Sequence, residues 1–340
     1  MDEQFKPTKT KADLSKFWVI TCVSNPMKYR RRFELFWRFE EMCKASGVNL
    51  IVVEQAFGHR HFMLTKHNYP YHLQVRTVEV LWHKENMLNL GIQHAVAMFG
   101  SENVREVAWI DADCRPARPP REWFEDTWHA LQHYEFVQMW ENLLSLDYFD
   151  NPVDVPGPSF MANYVKYGKA YPPGIIEQEK LDYGYGDGPK RWGSPGLAWA
   201  ANRDALDKIG GLPQQAILGA GDWYLAHMLT DGLMLPVLSR YTDGYRNSWL
   251  RQQALCERWI KRDVGYVKGL VLDDWHGKKI NRGYNTRENI FINNQYDPTT
   301  DIKIDSQGLI QLETWDERQI RMRDQIRAYF SARQEDDISL

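Results

Sequence analysis

Asp111 and Asp113 stand two apart at the end of Val107-Ala108-Trp109-Ile110, a run of apolar residues. A continuous apolar run of this kind reads as a strand buried on both faces. Side chains two apart in a strand lie on one side, so strand geometry kept through Asp113 would aim both carboxylates together. Two hard oxygen donors at the carboxyl end of a buried strand suit a divalent cation, and that end is where open α/β sheets bind ligands. A pair of loop-capping carboxylates has the same sequence, so the motif alone leaves both readings open. No Gly-x-Gly-x-x-Gly follows the first strand and no Walker loop is present, so phosphate binding would need a metal, basic side chains or both.

The elements that must position these residues follow in βαβ order. Phe17–Val23 and Leu50–Glu54 read as buried strands, with a helix between them on Phe33, Phe36, Trp37 and Cys43 that stops at Gly47. Arg76–Trp82 is a third strand candidate. Leu88, Ile92, Ala95, Val96 and Phe99 form one apolar face of the next helix. After Asp113 come a helix on Trp123, Trp128, Leu131 and Tyr134 and a strand at Phe136–Trp140. Residues 150–192 are rich in proline, tyrosine and glycine and read as an irregular insertion, a lid or a wall for an acceptor. Asn202–Ile209 reads as a helix ended by Gly210-Gly211. Asp222 stands at the entrance to another helix, where an acid is favoured by the dipole. Residues 245–262 are helical in pattern, and Val267–Leu272 is a last strand candidate. Thr314-x-x-Glu317 fits a capping box for a terminal helix.

Composition bounds the class. The chain has 340 residues, 43% hydrophobic and 26% charged, as a soluble globular protein does. A net charge of −3 weighs against sequence-blind nucleic-acid binding, although 14 tryptophans supply surfaces for stacking on sugars or bases. Cys22, Cys43, Cys114 and Cys256 are too widely spaced for a zinc framework and suit reduced thiols in a cytoplasmic protein. Residues 1–16 read as a flexible polar arm without a signal sequence, and no apolar run approaches the ~20 residues of a membrane span.

Five segments in order resemble the nucleotide-sugar glycosyltransferases of the GT-A fold, near the family 2 transferases and the galactosyl- and N-acetylgalactosaminyltransferase domains. They are Lys84-Glu85-Asn86-Met87-Leu88-Asn89, Trp109-Ile110-Asp111-Ala112-Asp113, Gly196–Leu212, Gly219-Ala220-Gly221-Asp222 and Trp275-His276-Gly277. The resemblance implies a Rossmann-like, mostly parallel sheet flanked by helices over residues 17–290. The nucleotide half is expected at 17–150, the acceptor half at 151–290 and an extension with a helix at 291–340. It implies Mn2+ or Mg2+ held by Asp111, Asp113 and His276, with imidazole favouring Mn2+. It implies Asp222 as general base toward an acceptor hydroxyl, with an inverting reaction preferred. Ser24, Asn25 and Glu54 are expected on base and ribose, Lys84 on a phosphate, Asn89 behind the nucleotide pocket, and Arg282 and Arg287 over the diphosphate. Gly221 departs from the family pattern, which has a glutamate there, and this leaves the donor sugar open. The donor implied is a nucleoside-diphosphate sugar, UDP-linked for preference. The acceptor is either a glycan or a hydroxymethylated base in DNA, for which Arg30–Arg32, Lys278 and Lys279 could meet phosphates. A non-catalytic nucleotide-sugar-binding module and a nucleotidyltransferase are the competing classes.

Overall fold

The apolar runs become strands whose alternate side chains feed two cores. In a computed structural model that describes residues 11–168, 193–230, 232, 239–284, 286–313 and 316–339, β1 (Phe17–Ser24) pairs in parallel with β2 (Asn49–Phe57). β2 pairs with β3 (His72–Thr77), and β1 pairs on its other side with β4 (Glu106–Ile110), both in parallel. Trp18 and Ile20 join Ile51, Val53, Val107 and Trp109 on one face, while Phe17 and Val19 join Ala108 and Ile110 on the other. That two-residue alternation, apolar on both sides, is why the centres of these strands carry few polar positions.

Helices cover the faces. α1 (Arg30–Ser46) buries Leu35, Phe36, Phe39 and Cys43 and ends at Gly47, whose φ of 71° is the left-handed cap that glycine accepts without strain. α2 (Lys84–Phe99) lies on β1 and β2 so closely that a Cβ on Gly91 would meet Ile20 Cγ2 at 2.6 Å and Val53 Cγ2 at 2.8 Å. The chain continues through β5 (Cys114–Pro116), α3 (Pro120–Leu131), β6 (Phe136–Gln138), β7 (Asn142–Leu146), β8 (Pro152–Pro158), α4 (Phe160–Tyr167), β9 (Ala198–Asn202), β10 (Val264–Tyr266) and β11 (Leu270–Asp273). The main sheet has seven strands in the order β10-β6-β9-β4-β1-β2-β3, with β9 antiparallel to both neighbours. The mixed, mostly parallel sheet expected from the sequence is therefore present. A second sheet runs β5-β11-β7-β8.

Several local expectations change. The third strand ends at Thr77 and does not reach Trp82; it is an edge strand, and beyond it Val78 is exposed while the Trp82 amide donates to Ile217 O at 2.8 Å. On α1, Trp37 is exposed and Leu35 and Phe39 take the buried face. The last strand candidate, Val267–Leu272, is strand only from Leu270 onward; residues 267–269, with Gly269 at φ 131°, link β10 in the main sheet to β11 in the second. Inside the supposed irregular insertion, residues 152–167 form β8 and α4, and residues 169–192 lie outside the described residues. The terminal helix Glu317–Ala332 is capped by Asp316, which accepts from the Gln319 amide at 2.7 Å; Thr314 lies outside the described residues. No described helix is long and apolar enough to cross a membrane, and the four cysteines are free.

Candidate active site

The two aspartates part company as soon as β4 ends. The Asp111 amide donates to Leu197 O at 2.8 Å, and the Cys114 amide donates to Asp111 O at 2.9 Å, closing a turn over residues 111–114. A turn does not keep the two-residue alternation of a strand, so the two carboxylates meet different partners, although both line one cavity. Asp111 Oδ1 lies 2.5 Å from Lys84 Nζ at the start of α2. Asp113 Oδ2 lies 3.2 Å from His276 Nδ1.

Asp113 instead finds a different acid. β5 pairs antiparallel with β11 and sets Asp273 opposite Cys114, while the Asp274 amide donates to Asp113 O at 2.8 Å. Asp113, Asp273 and His276 thus offer ligand atoms that all lie within 4.8 Å of one another. Asp113 Oδ1 and Asp273 Oδ1 are buried, and neither has a hydrogen-bond partner among the described residues. Burial, then the neighbouring Asp111, pushes the Asp113 carboxyl up to about 7, against Arg282, Lys84 and Arg32. Burial and then Arg282 push His276 down to about 4, so its ring is neutral at pH 7 as a metal ligand must be. Two orphaned carboxylate oxygens beside a neutral imidazole fit a divalent cation of the Mn2+ kind. A metal group was expected on Asp111, Asp113 and His276. Among the described residues, Asp113, Asp273 and His276 form such a group, while Asp111, which lines the same cavity, has its Oδ1 beside Lys84 Nζ.

The triad lines one end of a cavity of about 510 Å³. Cys22, Leu81, Trp82 and Leu88 supply apolar wall, and Arg32, Lys84, Lys279, Arg282, Arg287 and Arg333 bring positive charge. Arg282 Nε is buried without a partner among the described residues. Burial works against the Lys84 charge, but Asp111, Asp222 and Glu85 raise it above the ordinary lysine value. Arg287 Nη1 and Arg333 Nη1 both reach the Tyr329 hydroxyl, at 3.3 and 3.2 Å. Glu335 accepts from Arg32 Nε at 2.5 Å, Arg32 Nη2 at 2.6 Å and Arg333 Nε at 2.6 Å, which ties the C-terminal segment to α1 across the cavity mouth.

Asp222 also lines this cavity, from the first turn of the helix Gly221–Met228. Its Oδ1 accepts from the amide of the next residue, Trp223, at 2.8 Å. Its Oδ2 would lie 2.8 Å from a Cβ on Gly196, so a glycine at 196 leaves that oxygen room. Beside it, a Cβ on Gly221 would come within 2.5 Å of Glu85 Oε1.

Of the residues expected to touch the donor, Ser24, Lys84, Asp111, Arg282 and Arg287 line the cavity. Asn25, Glu54 and Asn89 do not, and each has a structural occupation. Asn25 bonds both ways with the Tyr29 backbone, at 2.7 and 2.9 Å. Glu54 accepts from the amides of Met63, Leu64 and Thr65 at 2.6, 3.0 and 2.8 Å and from the Thr65 hydroxyl at 2.7 Å. Asn89 clasps Leu212 through its amide and carbonyl, at 2.8 and 2.9 Å. Sequence reasoning missed Asp273, Arg333, Glu335 and the place of Glu85 in the cavity wall. Asp273 had a signal, an acid ending an apolar strand three residues before His276.

No family model matches the chain, and no curated protein matches it. Among solved structures it is similar, at 13% identity, to the catalytic domain of Drosophila beta-1,4-galactosyltransferase 7 complexed with xylobiose, over 90% of this chain and 98% of that chain, with a TM-score of 0.34. It is similar to a mutant of the same Drosophila enzyme complexed with manganese, UDP-Gal and xylobiose, again at 13% identity over 90% and 98% of the two chains, with a TM-score of 0.35.

Proposed function

We propose that this chain is a metal-dependent glycosyltransferase of the GT-A type that moves a sugar from a nucleoside-diphosphate sugar to an acceptor hydroxyl. The observation that carries the reading is convergence: an Asp-Asp-His donor set, a group of arginines and a helix-borne carboxylate share one cavity. Asp113, Asp273 and His276 would hold the cation. When bound, a divalent cation there supplies Lewis-acid neutralisation of the charge that grows on a departing nucleoside diphosphate.

The chain's own residues do the rest. Arg282, with its unpartnered Nε, and Arg287 give the diphosphate charge-assisted donors. Lys84 fixes Asp111 at 2.5 Å and so sets the wall between metal end and sugar end. Asp222 Oδ2, left clear by Gly196, accepts the proton of the incoming hydroxyl, with inversion as the preferred outcome. Phe330, Arg333 and Glu335 bring the C-terminal segment into the cavity wall, where it limits water.

A saccharide acceptor is favoured over DNA by the state of the basic residues. Arg30 pairs with Glu34 at 2.7 Å, Arg31 donates to Trp275 O at 2.7 Å, Arg32 is held by Glu335 and Lys279 pairs with Asp154 at 2.7 Å. Cations already engaged by the protein's own acceptors have less to offer a phosphate backbone. The free thiols suit a reducing, cytoplasmic setting.

The test is a panel of nucleotide sugars with Mn2+, read first as thermal stabilisation and then as slow hydrolysis or transfer to added glycans. The reading expects one UDP-sugar to stabilise the protein and to lose its sugar only with metal. Binding without turnover would make the chain a non-catalytic module, and formation of a nucleoside triphosphate and a sugar 1-phosphate when pyrophosphate is added would make it a nucleotidyltransferase. No response to any nucleotide sugar would overturn the proposal.

A further inference from the structure

The start of α2 places a second carboxylate beside Asp222, on a different element. Glu85 is 6% exposed and what remains of its surface lines the cavity. Among the described residues, the group that donates a hydrogen bond to its carboxylate is its own amide. Its Oε1 fills the space that a side chain at 221 would need, 2.5 Å from where a Gly221 Cβ would stand. Glycine at 221 is therefore the condition for Glu85 to reach this corner.

The corner is crowded with like charge. Asp111, Asp222 and Glu85 surround Lys84, and all three act on its amine. Asp111 is spoken for at 2.5 Å, and Asp222 Oδ1 by the Trp223 amide. Glu85 has no such engagement with another residue. A buried carboxylate without donors is costly, and the cost is relieved by a ligand that brings hydroxyl protons to it. Glu85 and Asp222 are neighbours in the cavity that Arg282 and Arg287 also line.

We propose that Glu85 reads a hydroxyl of the donor sugar, and that this corner selects a neutral, hydroxyl-bearing sugar over a uronate. The inference rests on the transferase reading. Asp111 and Asp222 already outnumber Lys84 here, and burial, with Asp222 adding to it against Lys84, pushes the Glu85 carboxyl up to about 7, so a further carboxylate on the sugar is disfavoured, while a hydroxyl meets an oxygen that among the described residues accepts from its own amide alone. A site built to hydrogen-bond a substrate hydroxyl also rejects analogues that lack it.

Isothermal titration in Mn2+ tests this on the full chain with UDP, UDP-galactose, UDP-glucose, UDP-N-acetylgalactosamine, UDP-xylose and UDP-glucuronate. The proteins are wild type, Glu85→Ala and Gly221→Ala, the last pushing the carboxylate aside while leaving it in the chain. Both variants should bind the best neutral donor about ten- to a hundredfold more weakly than wild type does, while UDP stays within about twofold. Melting curves establish that each variant is folded, and the sugar-to-UDP affinity ratio is a readout that general loosening does not move selectively. Equal donor binding by wild type and Glu85→Ala overturns the assignment, as does a parallel loss of UDP and donor. UDP-glucuronate as the tightest donor overturns the charge argument. Failure of the wild type to bind UDP or any of these sugars brings down the transferase reading itself.

Discussion

Glu335→Gln removes a single charge from the clasp between the C-terminal segment and α1. Glu335 is 1% exposed and receives three bonds of 2.5 to 2.6 Å from Arg32 and Arg333. Burial opposes its ionisation, but Arg32 and then Arg333 outweigh burial and hold the carboxyl down at about 2, from an ordinary 4.5. At roughly 1.36 kcal/mol per pH unit, that fall is worth about 3 kcal/mol in favour of the closed arrangement. The sign is that of a depressed acid: the contribution is complete above the unfolded value near 4.5 and is lost as pH drops through about 2. The glutamine keeps the shape, loses the charge and turns an N–H toward two guanidinium groups. Urea unfolding followed by tryptophan fluorescence should show a loss of about 3 kcal/mol at pH 7. Because the segment is terminal, part of that loss can appear as local opening, so amide exchange over residues 330–339 is read alongside. The gap between the two proteins should narrow below pH 4.5. A loss under about 1 kcal/mol by both readouts, or a gap unchanged down to pH 3, would refute the reasoning.

Three further expectations concern the scaffold. Gly91→Ala should cost about 1–3 kcal/mol in unfolding experiments despite better helix propensity, since its methyl would overlap Ile20 and Val53. Glu54→Gln should lower stability by about 1–2 kcal/mol yet leave UDP affinity within about twofold; a tenfold loss of affinity would restore Glu54 to the nucleotide site. His83 is buried between Gln55 Nε2 at 2.9 Å and Ile310 O at 2.7 Å, and burial holds it down at about 4. The unfolded chain takes up that proton near 6.5 and the native chain only near 4, so stability should fall across that window, and His83→Gln should flatten the profile.

The parts of the fold legible in the sequence were those written in local periodicity. Phe17–Ser24, Asn49–Phe57 and Glu106–Ile110 are apolar on both faces, and Gly47 is where a left-handed cap must fall. The site was legible up to the point where long-range contacts take over. That Asp111 would turn toward Lys84 depends on the Leu197 carbonyl, far along the chain, catching its amide. Asp273 reaches the triad through strand pairing between β5 and β11, which no local pattern announces. Glu54 looked like a ribose ligand because it ends a strand; the loop at 63–65 that consumes its oxygens has no periodicity of its own. The C-terminal residues were set apart as an extension, whereas Glu335 accepts from Arg32, 303 positions earlier in the chain.

The central claim is that Asp113, Asp273 and His276, and not the Asp111–Asp113 pair, are the seat of the metal. Electron paramagnetic resonance of Mn2+ titrated into the protein with UDP present measures this directly. The account predicts that Asp273→Asn and Asp113→Asn each weaken Mn2+ binding by about tenfold or more, while Asp111→Asn, whose carboxylate is engaged by Lys84, weakens it far less. Wild-type Mn2+ affinity in Asp273→Asn together with its loss in Asp111→Asn would contradict it.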